Sequence, residues 1–277
     1  MRIFLAGASG VIGRRLVPAL TGAGHEVWGT TRRPDRTAAI AAAGARPVLL
    51  DALDAEAVRA AVAGCAPDVV IHQLTDLASR DFAANSRIRE QATRNLVDAA
   101  RTAGIERLLA QSIAFVHPDG TRPATEQDPI DDDPARAVTL DGVRALESTV
   151  AEIEQSVILR YGMLYGPGTW YAPDGLMAEQ AHAGTLPAGP EVTSFVHVDD
   201  AVDATVAALD WPAGIVNIVD DEPASGRDWA PVFAAAVGAP APEPTDDGPI
   251  GRPISNALAR SRGWSPRHST WRTGFTA

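Results

Sequence analysis

The stretch "LAGASGVIGRRL", residues 5–16, decides the fold. It closes the short apolar run "RIFLAG" and opens an amphipathic segment, with glycines at 7, 10 and 13. Between a strand and a helix each glycine has its own use. Gly7 permits the tight turn, Gly10 lets the backbone approach a pyrophosphate, Gly13 allows close packing of helix on sheet, and the helix N-terminus faces the anion. Gly7, Ser9, Gly10, Val11, Ile12 and Gly13 are therefore the expected phosphate-binding residues. A glycine trio is also what a purely structural turn looks like, so its position at the head of a strand-turn-helix unit carries the reading.

Working outward, the first 165 residues alternate apolar runs with Ala-rich amphipathic stretches. "HEVWGTTR", "RPVLLDAL", "DVVIHQL", "RLLAQSIAFV" and "SVILRYGMLY" are the further expected strands, and residues 11–23, 36–43, 54–63, 85–103 and 136–154 the expected helices. The last of these contains "RAVTLDGVRALES", residues 136–148, with an apolar stripe at Val138, Val143 and Leu146. Strands that look buried on both faces and alternate with helices predict an α/β fold, a doubly wound parallel sheet of the Rossmann kind. After Gly166 the rhythm changes, with helices expected near 174–183, 199–209 and 226–237 and the Pro-rich connector "APAPEPTDDGP". The expected organisation is a dinucleotide-binding domain, 1–165, and a small substrate lobe, 166–277, interleaved with it as one structural unit.

The 277 residues are 45% hydrophobic without a run long enough to span a membrane, and the net charge is -11. That charge argues against nucleic acid or an anionic membrane as partner and leaves a small molecule. The start "MRIFLAG" lacks the pattern of a signal peptide, and a single cysteine, Cys65, allows no internal disulfide; both point to the cytoplasm. Scattered histidines and the lone cysteine give no metal-ligand spacing, so no metal is expected. The sequence contains no lysine, and all 24 basic residues are arginine.

The second strand ends "GTTRRPDR". A carboxylate at such a tip suits the ribose hydroxyls of NAD, whereas arginine suits a 2′-phosphate, so Arg32 and Arg33 favour NADP over NAD. A solvated basic loop would look the same. Asp51, after "PVLL", is placed either to accept from an adenine amine or to open a turn.

With these residues in hand the chain resembles the extended or atypical short-chain dehydrogenase/reductases, the NAD-dependent epimerase/dehydratase family. The resemblance runs through "GASGVIG", "DVVIHQLT", "LRYGMLYGPG", "FVHVDD" at 195–200, "VNIVDDEP" and "GWSP" at 263–266. It implies that Ala52 and Leu53 beside Asp51, Gln73, Leu74 and Thr75 after the fourth strand, and Tyr161 and Gly162 after the sixth line the dinucleotide. It also implies a Ser after the fifth strand and a Tyr-x-x-x-Lys pair on the next helix. Ser112 matches the serine, and aligning Glu147 with the acid that follows the pair puts Thr139 at the tyrosine position and Val143 at the lysine position. The standard proton relay is absent: there is no lysine, and Tyr161, Tyr165 and Tyr171 all lie downstream of that helix. Arg89 and Met163 stand where the family often carries asparagines.

The resulting expectation is an NADP-dependent oxidoreductase acting on a small C=O, C=N or activated C=C substrate with a non-standard proton donor, with Ser112, Thr139 and Tyr161 as catalytic candidates. A dinucleotide-binding regulatory protein, or a lyase or isomerase using the same pocket, stands beside it. His117 is the nearest imidazole and equally a bystander; Arg144 and the "DDD" run at 131–133 read as solvated, His72 as a satisfied core residue, and Asp199 or Asp200 as a helix cap. "GTWYAPDGLM" offers Trp170, Tyr171, Leu176 and Met177 as a ligand wall, as core or as a subunit contact, and a homodimer is left open.

Overall fold

The chain begins with β1 (Arg2–Ala6), the Gly7–Gly13 turn and α1 (Gly13–Gly22), as the glycine spacing requires. The computed structural model describes residues 1–77 and 81–276. There follow β2 (Glu26–Thr31), α2 (Thr37–Ala42), β3 (Arg46–Leu49), α3 (Ala55–Cys65), β4 (Val69–His72), α4 (Phe82–Arg87), α5 (Thr93–Thr102), β5 (Arg107–Ile113), α6 (Ala137–Val150) and β6 (Gln155–Tyr161). The later part contributes β7 (Met163–Tyr165), α7 (Leu176–His182), β8 (Val192–Thr193), β9 (Phe195–His197), α8 (Val198–Ala207), β10 (Gly214–Ile218), β11 (Ala224–Ser225), α9 (Gly226–Ala236), α10 (Ala257–Ser261) and α11 (Trp271–Gly274).

Seven strands form one sheet in the order β10-β6-β5-β4-β1-β2-β3. The pairings of β1 with β2 and β4, of β2 with β3 and of β4 with β5 are parallel. Strand order reverses beside β1, which creates the crevice at the carboxyl ends of β1 and β4 where such sheets bind ligands. The α/β, doubly wound architecture read from the sequence is the one observed.

Local chemistry explains the helix starts. Asp54 caps α3 by accepting from Ala57 N, and Asp81 caps α4 by accepting from Ala83 N and Ala84 N. The stretch expected as one helix over 85–103 is a continuous rod from 82 to 102, interrupted by a π turn at Ile88–Ala92. In α6 the buried face consists of Leu140, Val143, Leu146, Glu147 and Val150, while Val138 is exposed, so the expected stripe is corrected at its first position. Gly142 explains how close α6 comes to α4, because a Cβ there would lie 2.2 Å from Ser86 Oγ.

"SVILRYGMLY" is two strands, not one. Gly162 breaks it, since a Cβ at 162 would stand 2.5 Å from Ser194 O, and β7 then leaves the main sheet to pair with β9. By contacts the chain divides into two units. One is Met1–Ser112, Asp132–Leu159 and Thr205–Ile215; the other is Ile113–Asp131, Arg160–Ala204 and Val216–Ala277. The first is centred on Phe4, Val58, Val70, Leu96, Leu108 and Leu146, the second on the aromatic cluster of Tyr165, Tyr171, Phe195, Trp229, Phe233, Trp271 and Phe275. Among the described residues no helix is long and apolar enough to cross a membrane.

Candidate functional site

The glycine turn is held from behind by β2. Gly7 N donates to Thr30 Oγ1 at 3.1 Å, Ala8 N to Thr30 O at 3.0 Å, and the Ser9 and Thr31 hydroxyls share a hydrogen bond of 2.9 Å. Gly7 has φ +95°, and a Cβ on it would lie 2.7 Å from Gln73 O. At Gly13 a Cβ would stand 2.1 Å from Gly7 O, so this glycine lets α1 close on the turn itself. Gly10 differs: a Cβ there would meet nothing nearer than Gly7 O at 3.3 Å, and the residue is exposed.

Helix α1 starts with no side-chain cap and no acid in its first turn. A helix N-terminus not engaged by a side chain, beside an open glycine backbone, fits a pyrophosphate. Ile12 is buried in the core, so only its backbone could face such a ligand, while Val11 is half-buried.

At the tip of β2 the two arginines part company. Arg33 is tied to Asp35 through two hydrogen bonds of 3.2 and 2.8 Å, which raises the pKa of the guanidinium and lowers that of the carboxylate. Arg32 is 53% exposed and leans toward Asp76, past the end of β4, at 3.7 Å. Arg14, directly after the third glycine, was passed over in the sequence reading and feels two other arginines. Burial, then the charges of Arg15 and Arg36, hold Arg14 below the usual arginine pKa, so cations crowd this end of the turn. The signal was an arginine directly after the third glycine.

Asp51 Oδ1 accepts from Leu53 N at 3.0 Å, so the turn reading of this residue has its hydrogen bond. Ala52 is buried and its carbonyl accepts from Asn95 Nδ2 at 2.9 Å, while Leu53 is half-buried against the core. Past β4, Gln73 is buried, Leu74 O accepts from Gln111 Nε2 at 2.9 Å, and Thr75 is exposed. His72 is a satisfied core residue: Nε2 meets Thr93 Oγ1 at 2.9 Å, Nδ1 accepts from Leu74 N at 3.1 Å, and burial lowers its pKa to about 4, so the ring is neutral.

Ser112, at the carboxyl end of β5, donates its hydroxyl to Glu147 Oε1 at 2.7 Å, and the residues are only 4% and 7% exposed. Thr139 is half-buried about two turns before Glu147 on α6, its carbonyl accepting from Arg89 Nη1 at 3.4 Å, and Val143 is wholly buried. Arg144 pairs with Asp141 at 2.8 Å across an exposed helix surface. The carboxylate and guanidinium beside Ser112 and Thr139 are thus Glu147 and Arg89, neither among the sequence-derived catalytic candidates.

In the other unit, Tyr161 is buried at the end of β6, and its carbonyl accepts from Ala114 N at 2.8 Å. Gly162 N donates to Ile218 O at 3.0 Å. Tyr165 and Tyr171 are core aromatics in edge contact with Phe195, and burial raises both phenols. Trp170 and Met177 pack against the same cluster. His117 donates from Nδ1 to Pro129 O at 2.9 Å, and burial lowers its pKa.

His197, Asp200 and His268 bring ligand-type atoms within 4.8 Å of one another. The positions are already committed. Asp200 accepts from Arg267 N, His268 N and His268 Nδ1, and His197 Nδ1 accepts from Asp199 N. A Cβ on Gly166 would lie 2.5 Å from His197 Nε2, so the Gly166 backbone packs against that ring. Asp200 therefore fastens residues 267–268 to the start of α8, a different use from the helix cap expected of this pair.

Comparison with known proteins places this geometry. Residues 3–219 match the NAD dependent epimerase/dehydratase family. A Streptomyces 3-diazoavenalumate denitrifying reductase is 43% identical over 305 residues, covering 99% of each chain. Among solved structures, Thermus thermophilus UDP-glucose 4-epimerase in complex with NAD superposes with a TM-score of 0.79 at 24% identity, covering 100% of this chain and 97% of that one. DesIV, a dTDP-glucose 4,6-dehydratase from Streptomyces venezuelae with NAD bound, gives 0.81 at 20% identity, covering 100% and 95%. The structural likenesses carry the fold; the family match over most of the chain and the full-length relative carry membership, and the protein belongs to the NAD-dependent epimerase/dehydratase family.

Proposed function

We propose that the protein is an NADPH-dependent reductase whose substrate is a small diazo-substituted organic acid, the diazo-bearing carbon taking up hydride as dinitrogen leaves. One observation carries this reading. The glycine turn and Ser112 are present, yet the sequence has no lysine and α6 carries no tyrosine, which favours a reaction that takes up hydride without a proton from that pair. Reduction of a C=O, C=N or enone leaves a new bond to hydrogen that must be filled by a proton. Loss of nitrogen does not: the hydride pair becomes the new C–H bond, the C–N pair leaves as a lone pair of N2, and charge balances without an acid. The full-length relative's name, a denitrifying reductase of a diazo compound, supports the same choice.

Bound NADPH would supply the hydride; what the chain supplies is binding, orientation and electrostatics. Gly7, Ser9, Gly10, Val11, Ile12 and Gly13 fit the pyrophosphate, and Gln73, Leu74 and Thr75 follow β4, at the strand end that such a dinucleotide follows. Arg32, half-exposed at the tip of β2, suits a 2′-phosphate, which favours NADP over NAD; Asp51 has a carboxylate oxygen left for the adenine. Ser112, anchored by Glu147, and the half-buried Thr139 orient the substrate.

The test uses purified protein, NADPH deuterated at C4 and 3-diazonio-4-hydroxybenzoate. Enzyme-dependent NADPH oxidation matched one-to-one by nitrogen release, with deuterium on the former diazo carbon, is the expected result. Rates no higher than without protein, or deuterium absent from that carbon, would refute it.

A further inference from the structure

The rod that packs beside α6 is broken at Ile88–Ala92 by a π turn. Such turns are rare, re-aim the side chains that follow, and concentrate at functional sites. Here Arg89 lies within the turn, in a buried stripe that otherwise reads Asn85, Ser86, Ile88, Ala92, Thr93 and Leu96. A guanidinium in that stripe is costly unless something compensates its charge.

Little within the chain does so. Arg89 is 7% exposed, and among the described residues its side chain makes one hydrogen bond, the 3.4 Å contact from Nη1 to Thr139 O. Glu147 is near enough to favour the charged form, but its carboxylate is occupied by Ser112 Oγ at 2.7 Å and forms no ion pair with Arg89. Burial lowers the guanidinium to about 10, so it stays charged at neutral pH. Nor can the side chain easily leave the seam. Ser86 Oγ donates to Val138 O at 2.8 Å, and the 2.2 Å clash that a Cβ on Gly142 would make shows α4 and α6 at their closest approach.

One face of α6 carries Thr139, Val143 and Glu147 four residues apart, the first meeting Arg89 and the last meeting Ser112. We propose that Arg89 is a substrate-binding residue that receives a carboxylate, so that the enzyme selects acidic substrates over their neutral esters. This rests on the reductase reading above and names the substrate class for that site. The preformed fork of a desolvated guanidinium suits a planar carboxylate better than any neutral group. Glu147, carrying the opposite charge beside Ser112, suits the positive end of a diazonium.

The experiment is calorimetric titration at pH 7.5 of NADP-saturated protein with 4-hydroxybenzoate, its methyl ester and 4-methoxybenzoate, together with NADPH titration of each variant. Wild type is expected to bind at least one anionic probe more than roughly tenfold tighter than the ester, the tenfold corresponding to about 1.4 kcal/mol. Arg89→Met should erase that preference, Arg89→Lys should keep part of it, and NADPH affinity should stay within about twofold throughout. If 4-methoxybenzoate keeps the preference over the ester, the carboxylate alone is held; if only the hydroxy acid shows it, the ring hydroxyl is held together with the carboxylate. Equal losses for acid and ester, a loss confined to NADPH, or no anion preference in the wild type would overturn the proposal. Should Arg89→Met fail to fold, Arg89→Met combined with Glu147→Gln removes both buried charges and is read the same way. Failure of the reductase reading looks different: anion preference would persist in a protein that neither binds NADPH nor releases nitrogen.

Discussion

Replacing Gly10 by alanine separates the cradle's function from the turn's stability. The Cβ would sit 3.3 Å from Gly7 O with nothing else near, and Gly10 does not have a positive φ. The nucleotide-free fold should therefore change by less than about 1 kcal/mol, the reduced freedom of the unfolded chain offsetting the tight contact. The same methyl projects onto the open side where the pyrophosphate would approach. Overpacking of that size costs about 1–3 kcal/mol, which converts to a roughly 5- to 150-fold weaker Kd for NADPH. Gly13→Ala is the control in the opposite direction, because its Cβ would lie 2.1 Å from Gly7 O and the turn itself would have to move, at about 3 kcal/mol or more. The assay is urea denaturation of the nucleotide-free proteins beside fluorescence titration with NADPH. A Gly10→Ala protein with wild-type stability and wild-type affinity would refute the placement of the pyrophosphate over Gly10.

Four further outcomes are expected. Arg32→Ala should weaken NADPH roughly tenfold or more while leaving NADH nearly unchanged, since a charge-assisted hydrogen bond is worth about 1.5–3 kcal/mol; its half-exposed contact with Asp76 at 3.7 Å adds little to stability, and equal losses for both nucleotides would remove Arg32 from the 2′-phosphate site. Ser112→Ala should lower turnover with nucleotide affinity intact and, by stripping the buried Glu147 of a donor, cost about 1–3 kcal/mol in denaturation; unchanged turnover would take Ser112 out of the site. Asp220 is buried, and burial raises its pKa from 3.8 to about 8, so the folded state holds a proton the unfolded state releases. Its contribution is fully present below pH 3.8 and is lost as pH rises to about 8, at up to about 1.4 kcal/mol per unit, and Asp220→Asn should flatten the fall in stability between pH 5 and 8. Trp271 is fully buried and donates from Nε1 to Glu222 O at 2.8 Å, so Trp271→Ala should destabilise by about 3–5 kcal/mol in the same assay.

Which of these residues could be seen in the sequence follows from how far each depends on distant chain. Gly10 and Gly13 meet only Gly7 and Ala8, Gly7 is marked by its own positive φ although it packs on Gln73, and strand alternation is a local pattern, so the glycine turn and the sheet were both legible. His72 was legible as core because an imidazole inside "VVIH" has to find partners nearby, and it finds Leu74 N. Asp200 was not, because its partners lie at Arg267 and His268, and nothing in "HVDD" announces a segment that arrives from so far along the chain. The break at Gly162 depends in the same way on Ser194. Arg89 is the instructive intermediate. Its spacing from Ser86 and Thr93 already put it in the buried stripe of an amphipathic helix, where arginine is out of place, but a regular helix drawn over 85–103 gives no reason to keep it there. The structure supplies the reason it stays: the contact to Thr139 O on the facing helix. A sequence without lysine can show that a cationic group has gone from α6; only packing shows that the cation facing α6 now comes from the neighbouring helix. There it stays charged at neutral pH, which is consistent with a site that binds an anion and leaves proton transfer out of the reaction.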